Sequence, residues 1–419
     1  MKWSDLPLDS LKNKRFTQFF LAQSISLFGD ALTWVGLALL AFELAGERSA
    51  VVLATALTLR VTIYVLLSSF SGMLSEYFSR KKILVTAHFS RMAIIGMMPL
   101  VTAEWQIYGL VAALNCFNAI FTPTYKACIP VLVKDKEQYS KAISLSSTVF
   151  QILGVLGPGI AGGIAAFAGI EEIFYTDMAT FLIAGIIILT FSKQELEPST
   201  SKGIPKSSTK NTLWNEIKSG SSPLFLLPQL RTNLLMQLAA SIVGAQILVN
   251  SVGFIQGHLQ LDEVSYGKVM MFFGLGTGIT AFMSGMFKKD SQLLTLAKSG
   301  GLLIGLALLP TLNATYTIVI LLWLLVGMAQ GLINIPMQTL IAKQVPEAEQ
   351  AKVYGAHFAW SHLWWAIAYP IAGILGKLGA NSFFYGGIIS LIIWAGVLCF
   401  ELIINRKTKP EKEEVLMNE

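Results

Sequence analysis

The stretch FTQFFLAQSISLFGDALTWVGLALLAFEL, residues 16–44, decides the fold. An α-helix needs about 20 mostly apolar residues to cross the hydrocarbon core of a bilayer. This run exceeds that length and is broken in its middle only by Asp30. Lys12, Lys14 and Arg15 precede it. It is too long for the apolar core of a signal peptide, so it reads as a retained first span. The rest of the chain has the same character. Of 419 residues, 54% are hydrophobic and 13% charged, against about 25% charged in an average soluble protein. The mean hydropathy is +0.61. So apolar a chain has too little polar surface for a soluble enzyme, a secreted module or a disordered scaffold.

Apolar runs and polar breaks predict twelve spans, near 16–44, 50–75, 83–102, 105–130, 141–168, 172–192, 232–257, 265–287, 291–311, 315–342, 351–377 and 381–404. The longest break, 193–231, is rich in Ser, Thr, Lys and Pro and separates six spans from six. This implies an N-terminal bundle over 1–192, a linker over 193–231, a C-terminal bundle over 232–404 and a tail over 405–419. With a cytoplasmic N-terminus, most of the 31 Lys and Arg residues fall on the cytoplasmic side, while Arg48, Lys268 and Lys377 fall in outer loops. That asymmetry places both termini in the cytoplasm, with the linker and tail. It also accounts for the net charge of +6 as a topology signal, since the basic residues form no nucleic-acid-binding face. Cys116, Cys128 and Cys399 follow neither a disulfide nor a zinc pattern.

The two halves repeat each other. Ser71-Gly72-Met73-Leu74 returns as Ser284-Gly285-Met286-Phe287, and Pro123 returns as Pro336 at the same offset. Pro158-Gly159-Ile160-Ala161-Gly162 returns as Pro370-Ile371-Ala372-Gly373 within two residues of it. Parallel six-span halves with a substrate site between them near the midplane are a transporter architecture.

At these residues the chain resembles the major facilitator superfamily. Gly72-Met73-Leu74-Ser75-Glu76 followed by Arg80-Lys81-Lys82 is similar to the signature between its second and third spans. Gly154, Gly157, Pro158 and Gly162 resemble the Gly/Pro-rich fifth-span motif of its antiporters. Phe28-Gly29-Asp30 and Asp177 are similar to its macrolide-efflux-like branch of drug and siderophore exporters. Tyr77 stands where the signature often carries arginine, and the second copy of the loop is reduced to Lys288-Lys289-Asp290. The resemblance implies an all-α fold of twelve transmembrane helices in two pseudo-symmetric six-helix bundles. It also implies proton-coupled export of small organic molecules by alternating access, from a bacterial inner membrane and by a monomer. Gly72, Glu76, Arg80 and Lys81 would then form a gate, and a Glu76–Arg80 pair is in reach at four residues on a helix.

Charges inside a bilayer are costly and tend to carry function. Asp30 lies about 20 Å and Arg60 about 24 Å from the N-terminal side, at 1.5 Å per residue. Their matching depth suggests an ion pair, with Asp30 as the proton-coupling carboxylate. Arg91 is near enough to a span end to snorkel. Asp177 opens span 6 as a helix cap, and Lys126 anchors the inner end of span 4.

Span 11 carries His357, Phe358, Trp360, His362, Trp364, Trp365 and Tyr369. Phe358, His362, Trp365 and Tyr369 share one stripe at 100° per residue, suited to stacking a flat substrate; His357 lies on another stripe. On spans that line the cavity in the resembled fold, Asn118, Tyr125, Gln246, Asn250, Asn334 and Gln338 supply neutral hydrogen-bonding groups. Such a pocket suits uncharged, zwitterionic or amphipathic cargo. An alternative cargo is a divalent nickel, cobalt or iron ion held by Asp30 with His357 or His362, with His88, Cys116 and Cys128 as further donors. No Walker motif, HExxH or GxSxG occurs, so neither ATP drive, nor a cofactor, nor an enzyme activity is expected.

Overall fold

The computed structural model describes residues 7–68, 77–197, 210–283 and 289–417, and these residues are helical almost throughout. In chain order the α-helices are α1 Lys14–Ala45, α2 Ser49–Ser68, α3 Arg80–Gly96, α4 Glu104–Leu132, α5 Lys136–Ala168, α6 Ile170–Leu189 and the short α7 Lys193–Leu196. They continue with α8 Lys210–Leu226, α9 Pro228–Val252, α10 Glu263–Met283, α11 Asp290–Leu306, α12 Tyr316–Gln344, α13 Glu347–Gly376 and α14 Asn381–Met417. All but α7 and α8 fall on the twelve expected spans. Nine segments of the described residues are long and apolar enough to cross a bilayer, one of them, Lys14–Leu67, joining α1 and α2. Gly72, Glu76 and the Ser71–Leu74 and Ser284–Phe287 repeat lie outside the described residues.

Helix ends follow local chemistry. The side chain of Asn13 accepts from the amides of Arg15 and Phe16 and starts α1. Asp135 accepts from Gln138 N at 2.9 Å and starts α5. Each cap satisfies amides that a helix start leaves without a partner. Gly169, at φ +105°, makes the turn from α5 into α6, a conformation that L side chains rarely adopt.

The chain divides into two compact units, Met1–Lys206 with Ser251–Gly274, and Ser207–Asn250 with Leu275–Glu419. In the first, α1 packs on α5 and α6, α3 on α4 and α6, and α2 on α4. Phe16, Phe19, Tyr125, Phe191 and Leu196 are buried together, with Phe19 stacked on Tyr125 at 4.6 Å. In the second, α11 packs on α12 and α14, and α13 on α8 and α14.

Ser251–Gly274 packs with the first unit because glycines let two backbones meet. A Cβ on Gly162 of α5 would stand 2.7 Å from the Glu263 carbonyl oxygen and 2.9 Å from Gly267 Cα. Close approach through small residues is what holds helices together where lipid removes any hydrophobic drive. The Gly/Pro run of α5 is thus a packing groove, with Gly157 seated against the Ala31 side chain. Within the linker, Lys210–Leu226 is helical. It docks on α13 through Trp360 Nε1 donating to Ser221 Oγ at 3.2 Å and an edge contact of Phe225 with the Trp360 ring at 5.0 Å.

Arg80 and Lys81 staple the ends of the helices near α7. Arg80 donates from a guanidinium nitrogen to the carbonyls of Ala127 at 2.9 Å and Leu196 at 3.4 Å, and from its amide to Glu197 at 2.7 Å. Lys81 Nζ reaches the Leu189 carbonyl at 2.9 Å. Glu195 pairs with Arg15 at 2.7 Å, and the Ser192 amide followed by Arg15 holds its carboxyl below the ordinary carboxylate value.

Gly162→Val forces atoms into the space of another backbone. It should lower stability by about 1–3 kcal/mol, read as a drop in the thermal midpoint of the purified protein. An unchanged midpoint would contradict the α5–α10 contact.

Candidate functional site

A cluster of charges occupies the middle of the first unit. Asp177 is fully buried, eighth in α6 rather than at its start, so it is not the cap the sequence suggested. Glu171 and Glu172 fill that first turn instead. Its carboxylate accepts from Thr33 Oγ1 of α1 at 2.5 Å and from Thr180 Oγ1 at 3.0 Å. Gly29 makes this possible: a Cβ there would lie 2.0 Å from Asp177 Oδ1 and 2.1 Å from Thr180 Oγ1. Phe28-Gly29-Asp30 therefore carries a notch into which the α6 carboxylate fits, one residue from the α1 carboxylate.

Arg91 is the second correction. It is 2% exposed and does not snorkel. Nε donates to the Ala87 carbonyl at 3.3 Å, one terminal nitrogen donates to Asn118 Oδ1 at 3.1 Å, and the other lies 3.0 Å from His88 Nδ1. Its guanidinium sits over the Phe121 ring at 4.0 Å and near that of Phe181 at 4.5 Å. Such desolvated cation–π contacts are worth about 2 kcal/mol each.

Asp30 is acted on by two positive charges, Arg91 and the expected Arg60, and Arg91 is in turn acted on by Asp30 and Asp177. Arg60 spreads over the Trp34 ring at 3.7 Å. Matching depth gave height along the spans but not direction around each helix. Thr33, Thr180 and Trp34 escaped the sequence reading altogether. Thr33 and Trp34 were detectable as the residues one turn beyond Gly29 and Asp30.

Of the expected pocket residues, Asn118 belongs to the Arg91 cluster and Tyr125 to the aromatic core. In the second unit, Asn250 Nδ2 donates to Gln246 Oε1 at 2.6 Å and to the Ala372 carbonyl at 3.1 Å. Asn334 and Gln338 are exposed on one face of α12. The α13 stripe splits. Phe358 is 41% exposed with the His362 ring 3.9 Å away. Trp365 and Tyr369 are set inward, their rings 5.3 Å apart, with Trp365 against Gly244. His357 is buried and bonds through Nε2 to Gln237 Oε1 at 3.0 Å. Among the described residues no three His, Cys, Asp or Glu converge as metal ligands, and Asp30 belongs to one unit while His357 and His362 belong to the other. The transition-metal reading is not supported.

The family model described as Major Facilitator Superfamily matches residues 19–369 and 238–416. The chain belongs to this superfamily. It is a multi-pass membrane transporter, embedded in a lipid bilayer and built to move a small molecule. It is 28% identical over 406 residues to the MFS-type transporter YfiS of Bacillus subtilis, covering 92% of this chain and 89% of that one. It is 24% identical over 387 residues to the multi-drug resistance efflux pump PmrA of Streptococcus pneumoniae, covering 90% and 92%. Macrolide efflux protein A of Streptococcus pyogenes is 22% identical over 273 residues, 63% of this chain and 66% of that one. Among solved structures, an inward-facing, occupied bacterial homolog of the lysosomal transporter Spinster superposes with a TM-score of 0.71 at 13% identity, covering 94% of this chain and 97% of that one. A POT family transporter with a bound peptide conjugate gives 0.70 at 11% identity, covering 93% and 96%. These two establish the fold.

In this superfamily member, Gly29→Ala drives a methyl into the Asp177 carboxylate and parts α1 from α6. The expected loss is about 1–3 kcal/mol of stability, measured as thermal midpoint. Gly46→Ala at the end of α1, where a Cβ meets nothing within 4 Å, supplies the comparison for backbone strain without a clash. A Gly29→Ala protein as stable as the parent would exclude the notch.

Proposed function

We propose that the chain is a proton-coupled exporter of small organic molecules of the drug, macrolide or siderophore kind. It sits in a bacterial inner membrane with both termini cytoplasmic and works as a monomer. Residues 1–192 and 232–404 form the two halves that alternate in opening the pathway to either face. The observation that carries the reading is Asp30, a half-buried carboxylate in the middle of a membrane span whose charge is opposed by Arg91 and Arg60. A carboxylate in hydrocarbon costs about 3 kcal/mol at the centre of a helix, an expense that proton coupling explains. Protonation and cargo binding would compete at Asp30, so each would drive the other.

Three further facts support the reading. Two relatives carry efflux in their names, PmrA and macrolide efflux protein A. Neutral groups such as Gln246, Asn250, Asn334 and Gln338 suit amphipathic cargo better than a polyanion. The excess of Lys and Arg on the side of the N-terminus supports the orientation. In this proposal Arg80 and Lys81 hold helix ends together on the cytoplasmic side, as one arm of the gate.

Purified protein in sealed vesicles tests the reading. With an imposed pH difference, the parent should concentrate fluorescent drug cations or a macrolide on one side, and Asp30→Asn should lose at least about tenfold of that transport while remaining folded. Full gradient-driven transport by Asp30→Asn would remove Asp30 from the mechanism.

A further inference from the structure

The sequence supplies one carboxylate for coupling, and the fold supplies two. Asp177 is sealed from solvent while Asp30 is half-buried. Asp30 acts electrostatically on Asp177, and both act on Arg91. The Arg91 guanidinium is held by neutral acceptors on α3 and α4, namely Ala87, His88 and Asn118, and by two aromatic faces. None of these partners changes charge when a carboxylate takes a proton, so Arg91 stays in place as a fixed positive centre. His88 meets Arg91 through Nδ1 at 3.0 Å. Arg60, on the Trp34 ring, is a second positive charge acting on Asp30.

We propose that Asp30 and Asp177 form one proton-binding pair beside the fixed charge of Arg91, with Asp30 as the port open to solvent and Asp177 as the sealed store. This rests on the proton-coupled reading above and names the residues that reading lacks. The balance is simple. A proton enters from water and forms an O–H bond on a carboxylate, and the same proton returns to water on the opposite side when that bond breaks. Asp30, Asp177, Arg91 and Arg60 sum to zero charge with both carboxylates ionised. One added proton takes the cluster to +1, and a drug cation arriving in the same dry space is then repelled. Proton and cationic cargo exclude each other, which is the requirement for exchange. Thr33 is the positioning residue. It stands one turn beyond Asp30 and donates its hydroxyl to Asp177 Oδ2.

The test uses ethidium as the probe and three readouts on the same purified protein: ethidium-for-ethidium exchange in vesicles without a gradient, transport driven by an imposed pH difference, and proton release on ethidium binding in weakly buffered detergent. Asp177→Asn fixes the cluster at +1, the charge of the protonated state, so ethidium exchange and driven transport should both fall roughly tenfold or more, and saturating ethidium should release no proton. Exchange, driven transport or proton release equal to the parent would overturn the pair. If Asp177→Asn does not fold, Thr33→Val decides. Removing the hydroxyl should move the pH midpoint of driven transport toward alkaline by about one unit, and a superimposable pH profile would overturn the proposal. A parent protein that binds and exchanges ethidium but ignores the pH difference would instead sink the proton-coupled reading itself.

Discussion

A bilayer offers no water to a buried charge, so every charge kept inside it has to be compensated by protein. The Asp30, Arg91 and Asp177 cluster meets that constraint, and much of the first unit is arranged around it. Gly29 is a glycine because the Asp177 carboxylate fills the place of its side chain. Thr33 and Thr180 are hydroxyls because that carboxylate needs donors. Phe121 and Phe181 face Arg91 because an aromatic ring is one of the few apolar surfaces that attracts a cation. Asn118 and His88 occupy donors that would otherwise be unpaired.

The same constraint explains where small residues fall. Lipid tails are as apolar as leucine, so helices gain little by hiding apolar faces and associate through close packing. Gly162 against Gly267 brings two helix backbones together, and this draws Ser251–Gly274 into the first unit.

The fold was legible in the sequence because hydropathy along the chain is a one-dimensional property. Runs near 20 residues and their polar breaks located twelve of the fourteen α-helices of the described residues, and Pro123 with Pro336 and Pro158 with Pro370 revealed the repeat. The candidate site was legible only in part. Depth in a span follows from counting residues, and it placed Asp30 and Arg60 at similar height. Which neighbour a side chain faces depends on helix azimuth and on which helices are adjacent, and neither is written in a hydropathy profile. Arg91 was taken for a snorkelling residue because distance to a span end says nothing of Phe121 on another helix. Asp177 was taken for a cap because the span was expected to begin at 172, whereas α6 begins at Ile170 with two glutamates in its first turn. The linker helix Lys210–Leu226 was hidden by a polar composition that spans do not have but surface helices do.

The most direct test of the proposed function reverses the usual drive. Sealed vesicles containing the protein and a trapped pH indicator are given a gradient of ethidium and no pH difference. Proton-coupled exchange predicts that ethidium moving down its gradient carries protons the other way, so the interior pH drifts and the drift vanishes in Asp30→Asn. Ethidium flux with a constant interior pH would contradict the account.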